Sequence, residues 1–367
     1  MLGFVIVAVI AAAVTWIALH IMSSVAYRIG LLDHPNQARK KHQQSTPLVG
    51  GIAIYSGLAA ALLLSTPTTQ ELYFLLAGAV LIVIGGLDDR FELGVRSRLL
   101  AQLTAALIMT LGAGVVIESL GDLFGLGEIK LGLWAVPFTV FATIGVINAF
   151  NMIDGIDGLA GSLTLLALFG MGYLCWSGGQ AMPTLLWVTV LALIPYLICN
   201  LQLPGGRHKK VFLGDAGSML LGLIVVWLLV ELSQQTQPVL SPVTALWLIA
   251  IPLLDTLTVM VRRLGCGLSP FHPDRRHLHH VLVRATHNAR QTLLLILLMG
   301  TTLAGVGLLG QEFHVPEAVM FYGGVGLLII YYRLLSRPWI LFRQLRAPAS
   351  EGTTAPRFKR TAGSFRR

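Results

Sequence analysis

The chain has 367 residues, 55% of them hydrophobic and only 12% charged, against roughly 25% charged in a soluble globular domain, so an ordinary soluble enzyme is excluded. A formal charge of +9 suits a polyanion, but the basic residues lie in short loops and a tail, which excludes a nucleic-acid face and favours a membrane surface. Cys175, Cys199 and Cys266 form no CxxC pair and no metal-ligand spacing, which excludes a disulfide framework and a zinc site.

Apolar runs recur from end to end, so residues 1–342 are expected to form one all-α integral membrane domain. A spanning helix needs about 20 mostly apolar residues, and about eleven such stretches can be placed. They lie near 3–23, 48–66, 72–88, 99–118, 133–150, 159–176, 182–200, 211–231, 242–261, 291–310 and 317–335. The runs are continuous and lack the alternation of barrel strands, which specifies helices. Pro195 and Pro252 fall inside two of them, where neighbouring helices can accommodate a kink. The first stretch has no basic n-region and no small-residue cleavage site, and reads as a retained span.

With the N-terminus outside, all but Lys130 of the 26 Lys and Arg residues fall on inward loops, helix ends and the tail. The positive-inside rule therefore predicts the N-terminus out, the C-terminus in, and an odd number of spans. The outward segment from about Gly121 to Gly132 is glycine-rich and fits a short hairpin. Residues 343–367 form a basic cytoplasmic tail expected to lie disordered against anionic lipid.

Four polar clusters interrupt this apolar pattern, all on the inward side. Asp88-Asp89 end the third stretch, with Glu92 one turn beyond Asp88. The pair suits a divalent cation or a shared proton, or else a solvated helix end neutralised by Arg90, Arg96 and Arg98. Asn148, Asn151, Asp154 and Asp157 follow the fifth stretch. Both aspartates share a face if the segment is helical, and if it turns, the glycine after each lets phosphate oxygens approach the backbone. An N-cap for the next helix accounts for one acid but not for two acids and two asparagines.

Gly214-Asp215-Ala-Gly-Ser218 opens the eighth stretch. Its carboxylate suits magnesium, which takes one or two carboxylates plus phosphate oxygens and water, and it suits a helix first turn equally well. Between the ninth and tenth stretches, Ser269-Pro-Phe-His-Pro-Asp-Arg-Arg-His-Leu-His-His280 combines four histidines with Arg275 and Arg276. With Arg262 and Arg263 nearby and no cysteine, phosphate binding fits better than zinc. Clustered acids facing a basic, histidine-rich loop describe a magnesium-dependent site for a phosphoanhydride, and a lipid-linked acceptor explains its place in a membrane.

At these residues the chain resembles the polyprenyl-phosphate N-acetylhexosamine-1-phosphate transferase family. The resemblance rests on Thr46-Pro-Leu-Val-Gly-Gly51, Leu87-Asp-Asp89, Asn148 to Leu159, Val211-Phe-Leu-Gly-Asp-Ala-Gly-Ser218 and Pro273-Asp-Arg-Arg-His-Leu-His-His280. Gln43 stands where the pentapeptide-substrate branch usually carries a lysine, so the chain looks more like the N-acetylglucosamine branch.

The resemblance implies transfer of N-acetylglucosamine-1-phosphate from UDP-N-acetylglucosamine to undecaprenyl phosphate with release of UMP, starting O-antigen or enterobacterial common antigen synthesis. It also implies a bacterial inner membrane, Mg2+ with Mn2+ as a substitute, no nucleic-acid partner, and room for a homodimer. Asp215 would then ligate the metal with help from Asn151, and Asp88 and Asp89 would lie near the lipid phosphate. Asp154 and Asp157, with Asn148, would line the nucleotide side, and Arg263, Arg275, Arg276, His277, His279 and His280 would meet the diphosphate and sugar. Direct attack and a phospho-aspartate route are both open. A proton-coupled transporter would instead carry ionisable residues near mid-span and related halves, which this chain lacks.

Overall fold

The computed structural model describes residues 2–33, 45–203, 209–268 and 277–336. In chain order the helices are α1 (Leu2–Ile29), α2 (Gly50–Leu64), α3 (Thr69–Phe91), α4 (Val95–Leu107), α5 (Ala135–Ile153), α6 (Leu159–Ser177), α7 (Thr184–Asn200), α8 (Gly214–Ser233), α9 (Pro242–Leu248), α10 (Ala250–Gly265), α11 (Leu278–Thr286), α12 (Ala289–Glu312) and α13 (Glu317–Ser336). Every one of the expected apolar stretches contains a helix. A π-helical turn, Ile108–Gly112, extends α4.

Seven helices are long and apolar enough to cross a membrane, or up to eight if the bent pair α9 and α10 is one span. The chain is therefore an all-α membrane protein, but eleven full-length spans are not what the described residues contain. With 15 and 17 residues, the apolar helices α2 and α7 reach only about 22 and 26 Å, short of a hydrocarbon core of roughly 30 Å. α4 carries Arg96, Arg98 and Gln102 within 13 residues.

The helix that organises the bundle is α8. Apart from Asp215 and Ser218 near its start and Glu231 and Ser233 at its end, it is apolar on every side, as a helix enclosed by others must be. It packs on α2, α3, α5 and α6. At Gly85 of α3 a Cβ would overlap the backbone of Ala216, so the absence of a side chain lets α3 reach the first turn of α8.

The Thr46 to Gly51 motif also serves this junction. Strand β1 (Leu32–Asp33) pairs antiparallel with β2 (Thr46–Pro47), and the chain then runs beside residues 212 and 213. Phe212 N–H donates to the Pro47 carbonyl at 2.8 Å, while Gly50 and Gly51 N–H donate to the Phe212 and Leu213 carbonyls at 2.9 and 3.0 Å. A Cβ at Gly51 would run into the Gly217 backbone. The motif is a strap that fixes where α8 begins.

The two prolines act differently. α9 and α10 meet at 84°; Pro252 has no N–H for the Leu248 carbonyl, and α9 ends at Leu248. Pro195 lies inside α7, which runs on to Asn200. The expected hairpin is present as a short antiparallel contact between Ser119 and Lys130, and Asp122 N–H donates to the Glu317 carboxylate at 2.8 Å, fixing it to the start of α13.

Candidate active site at the helix ends

The C-terminal end of α3, the N-terminal end of α8 and the α5–α6 turn meet at one place. Asp88 and Asp89 occupy the last turn of α3, the negative end of its dipole, where a carboxylate needs compensation. The two residues find it differently. Asp89 Oδ1 accepts from Asp215 N–H at 2.8 Å, and Oδ2 from Ala216 N–H at 3.3 Å, so its carboxylate caps the positive end of α8. Asp88 is 5% exposed; its Oδ2 lies 3.5 Å from Arg98 Nη1, and its buried Oδ1 has no hydrogen-bond partner.

Arg98 of α4 stands between two acids, because the same Nη1 lies 3.2 Å from Asp215 Oδ2. Asn151 Nδ2 donates to Asp215 Oδ1 at 2.9 Å and to Ser218 Oγ at 2.9 Å. Asp215 is therefore held by Asn151 on one oxygen and Arg98 on the other, on a helix start positioned by Asp89. In this arrangement Asn151 presents its amide nitrogen and acts as an orienting group for Asp215.

In the α5–α6 turn, burial first, then Asp215 and Asp157, push the Asp154 carboxyl up to about 7, since each favours its neutral form. Asp157 accepts from Lys210 Nζ at 2.6 Å, and that ammonium sits 5.0 Å over the Phe212 ring. Gly155, between the two acids, lies directly against the His279 ring, which a Cβ would overlap. This contact joins the acidic turn to the histidine-rich segment.

His279 is 2% exposed. Burial, with His280 and His277 beside it, holds its imidazole well below the ordinary histidine range. It is neutral near pH 7, so it can hydrogen-bond a phosphate but brings no positive charge. Its ring stacks on His277 at 5.8 Å and 8° between planes. His277 Nδ1 contacts Asp255 Oδ2 of α10 at 2.8 Å.

The remaining expected site residues divide. Asn148 Nδ2 donates to Gln102 Oε1 at 2.6 Å and to the Ile144 carbonyl at 2.8 Å, which ties α5 to α4. Arg263 is buried in the last turn of α10. Arg275 and Arg276 lie outside the described residues.

Several participants escaped the sequence reading. Gln102 carried no distinguishing signal, Arg98 stood out only as a neutralising charge, and Lys210 only as a topology marker. Asp255 had a usable signal: it is the sole acid among the apolar residues of α9 and α10, and an ionisable group in such a segment is a functional candidate by default.

The residues present fit a divalent cation. Asp88 and Asp215 supply two carboxylates drawn together around one positive group, and Asp88 Oδ1 is a buried acceptor without a donor. Two carboxylates, with phosphate oxygens and water completing the shell, are what magnesium takes. Asp89, whose two oxygens accept from the first N–H groups of α8, is placed to orient Asp215.

A bundle of membrane helices that gathers several carboxylates, a guanidinium and a histidine cluster at one set of helix ends has the parts of a membrane-embedded phosphoryl or glycosyl-phosphate transferase. The chain belongs to glycosyl transferase family 4, whose model matches residues 71–233. It is 42% identical over 335 residues to the undecaprenyl-phosphate alpha-N-acetylglucosaminyl 1-phosphate transferase of Salmonella typhi, covering 90% of this chain and 91% of that protein. The proteins of the same name from Escherichia coli (strain K12) and Haemophilus influenzae are 40% and 39% identical, over 90% of this chain and 91% and 94% of theirs.

Proposed function

We propose that the protein transfers N-acetylglucosamine-1-phosphate from UDP-N-acetylglucosamine to undecaprenyl phosphate, releasing UMP and opening a lipid-linked glycan assembly such as O-antigen or enterobacterial common antigen. The observation that carries this reading is the convergence of Asp88, Asp215 and Arg98 at the α3–α8 junction, in a chain about 40% identical over nine-tenths of its length to transferases of that name. The basic loops support an active site on the cytoplasmic face of a bacterial inner membrane, with the N-terminus out and the C-terminus in. Eleven crossings follow if α2, α4 and α7 also traverse the bilayer.

Asp88 and Asp215 would hold Mg2+, which as a Lewis acid offsets charge on the donor diphosphate. A phosphate oxygen of the lipid forms a bond to the sugar-side phosphorus. The bond from that phosphorus to the bridging oxygen breaks, and its electron pair leaves with UMP. The attacking oxygen is already anionic near pH 7, so no strong base is needed. Arg98, paired with the carboxylates here, is placed to neutralise phosphate oxygens when a donor enters. His277 and His280 meet the diphosphate and sugar, while neutral His279 packs on the Asp154–Asp157 turn.

Purified protein with undecaprenyl phosphate, Mg2+ and each candidate UDP-sugar tests this. UMP release is expected with UDP-N-acetylglucosamine. Release with the N-acetylmuramoyl-pentapeptide donor alone would overturn the donor assignment. A burst of UMP without acceptor would establish a covalent route in place of direct attack.

A further inference from the structure

Asp255 lies in α10 with 1% of its surface exposed, flanked along the helix by apolar residues and Thr256. An ionised carboxylate there is costly unless donors surround it. Three do. His277 Nδ1 lies 2.8 Å from Oδ2, Leu278 N–H donates to Oδ1 at 2.8 Å, and Tyr331 O–H of α13 donates to Oδ1 at 3.1 Å. Leu278 is the first residue of α11, so one carboxylate caps that helix, grips the side chain before it and anchors both to α13.

The proton on the His277 contact follows from this set. With Asp255 as a carboxylate both oxygens accept, so His277 Nδ1 donates to Oδ2, and Nε2 is the ring nitrogen that Asp255 does not engage. His277 stacks beside His279, which abuts the Asp154–Asp157 turn at Gly155. Through His279, a ring that Asp255 holds is thus joined to the acidic turn.

We propose that Asp255 is a positioning residue for the transfer step: with Tyr331 it fixes His277 as an Nδ1-protonated ring and presents Nε2 to the diphosphate-sugar of the donor. This rests on the sugar-phosphate transferase reading above. A cap for α11 alone would need one oxygen and no imidazole, and the deep burial of a charge for that purpose would be poorly compensated. Carboxylate–imidazole pairs fix tautomer in this way at other catalytic histidines.

The test uses the full-length protein in detergent or nanodiscs with 15N-labelled histidine. The His277 resonance, identified by its absence in His277→Gln, is expected to report protonated Nδ1, and its Nε2 shift is expected to move on addition of UDP-N-acetylglucosamine. In Asp255→Asn the amide NH2 can face Nδ1 and reverse the tautomer. UMP release should then fall on the order of 100-fold or more in kcat, with KM for the donor changed by less than about threefold. Tyr331→Phe, which keeps the imidazole contact, should lower kcat only severalfold with the wild-type tautomer retained, and it carries the test if Asp255→Asn does not fold. Unprotonated Nδ1 in the wild type, or wild-type kcat in a folded Asp255→Asn, would overturn the proposal. Inactivity of the wild type toward every UDP-sugar would sink the transferase reading while leaving the tautomer measurement to stand by itself.

Discussion

Two carboxylates in this molecule cap the start of a helix that is not their own, and they do so in different ways. Asp89, at the end of α3, binds backbone N–H groups of α8, and the side chain of Asp215 is left to Asn151 and Arg98. Asp255 binds the backbone of α11 and also the side chain of His277. The acid junction is thus assembled from several side chains on different helices. The histidine junction is fixed by one buried group. A site that must accept a charged ligand on one side and orient it from the other has use for both.

Substitutions can break this comparison at graded cost. The largest effect is expected for Asp215→Asn, which removes a carboxylate proposed to hold the cation: UMP release should fall on the order of 1000-fold, several kcal/mol of transition-state stabilisation, with the unfolding temperature nearly unchanged. Asp89→Asn should cost less in rate and more in stability. It weakens a charge-assisted cap, by about 1–2 kcal/mol, and lets Asp215 drift; a roughly 10- to 100-fold loss of rate with a lower unfolding temperature is the expected pair of readings.

Gly155→Ala should come next. Its methyl group would displace the His279 ring and separate the acidic turn from the histidines, raising the donor KM by roughly tenfold, since the chemistry of Asp88 and Asp215 is untouched. A change in kcat alone would show that the contact serves something other than donor binding. Smaller again is Lys210→Ala. Its partner Asp157 is about 39% exposed at the side chain, and such an ion pair contributes about 0–1 kcal/mol, so activity should stay within a few-fold of wild type.

The Asp154 carboxyl gives a pH test with a defined sign. In the folded protein burial and the neighbouring acids push it from 3.8 to about 7, so folding takes up a proton between those values. The stability this contributes is complete below about pH 4 and is lost as pH rises through about 7. Asp154→Asn, which is neutral throughout, should therefore gain thermal stability relative to wild type on passing from pH 5 to pH 8 without ligands. A constant difference across that range would contradict the shifted carboxyl.

The helices were legible because apolar runs of this length have no other stable form in a bilayer. The described members of the polar clusters lie at or near helix ends or in the turns between helices, as the boundaries of those runs require. The sequence did not reveal how adjacent acids would divide. Asp88 and Asp89 are identical in type and neighbours in the chain, and only the arrival of α8, set by Gly85 and the Thr46–Gly51 strap, gives one a cap to make and leaves the other buried beside Arg98. Asp255 was visible as a solitary acid in an apolar helix, but its partners lie 22 to 76 residues away, and no spacing pattern records such a meeting. The number of crossings was less legible: seven described helices, or eight with α9 and α10 as one span, are long and apolar enough to cross, and α2, α4 and α7 are shorter or more polar.

The division of labour between Asp88 and Asp89 is the central claim, and it is tested most directly by UMP release from UDP-N-acetylglucosamine over a Mg2+ titration for Asp88→Asn and Asp89→Asn side by side. Asp88→Asn should lose on the order of 1000-fold at every Mg2+ concentration, whereas Asp89→Asn should retain a few per cent of wild-type rate or more. Equal inactivity of the two, or greater activity of Asp88→Asn, would contradict the account.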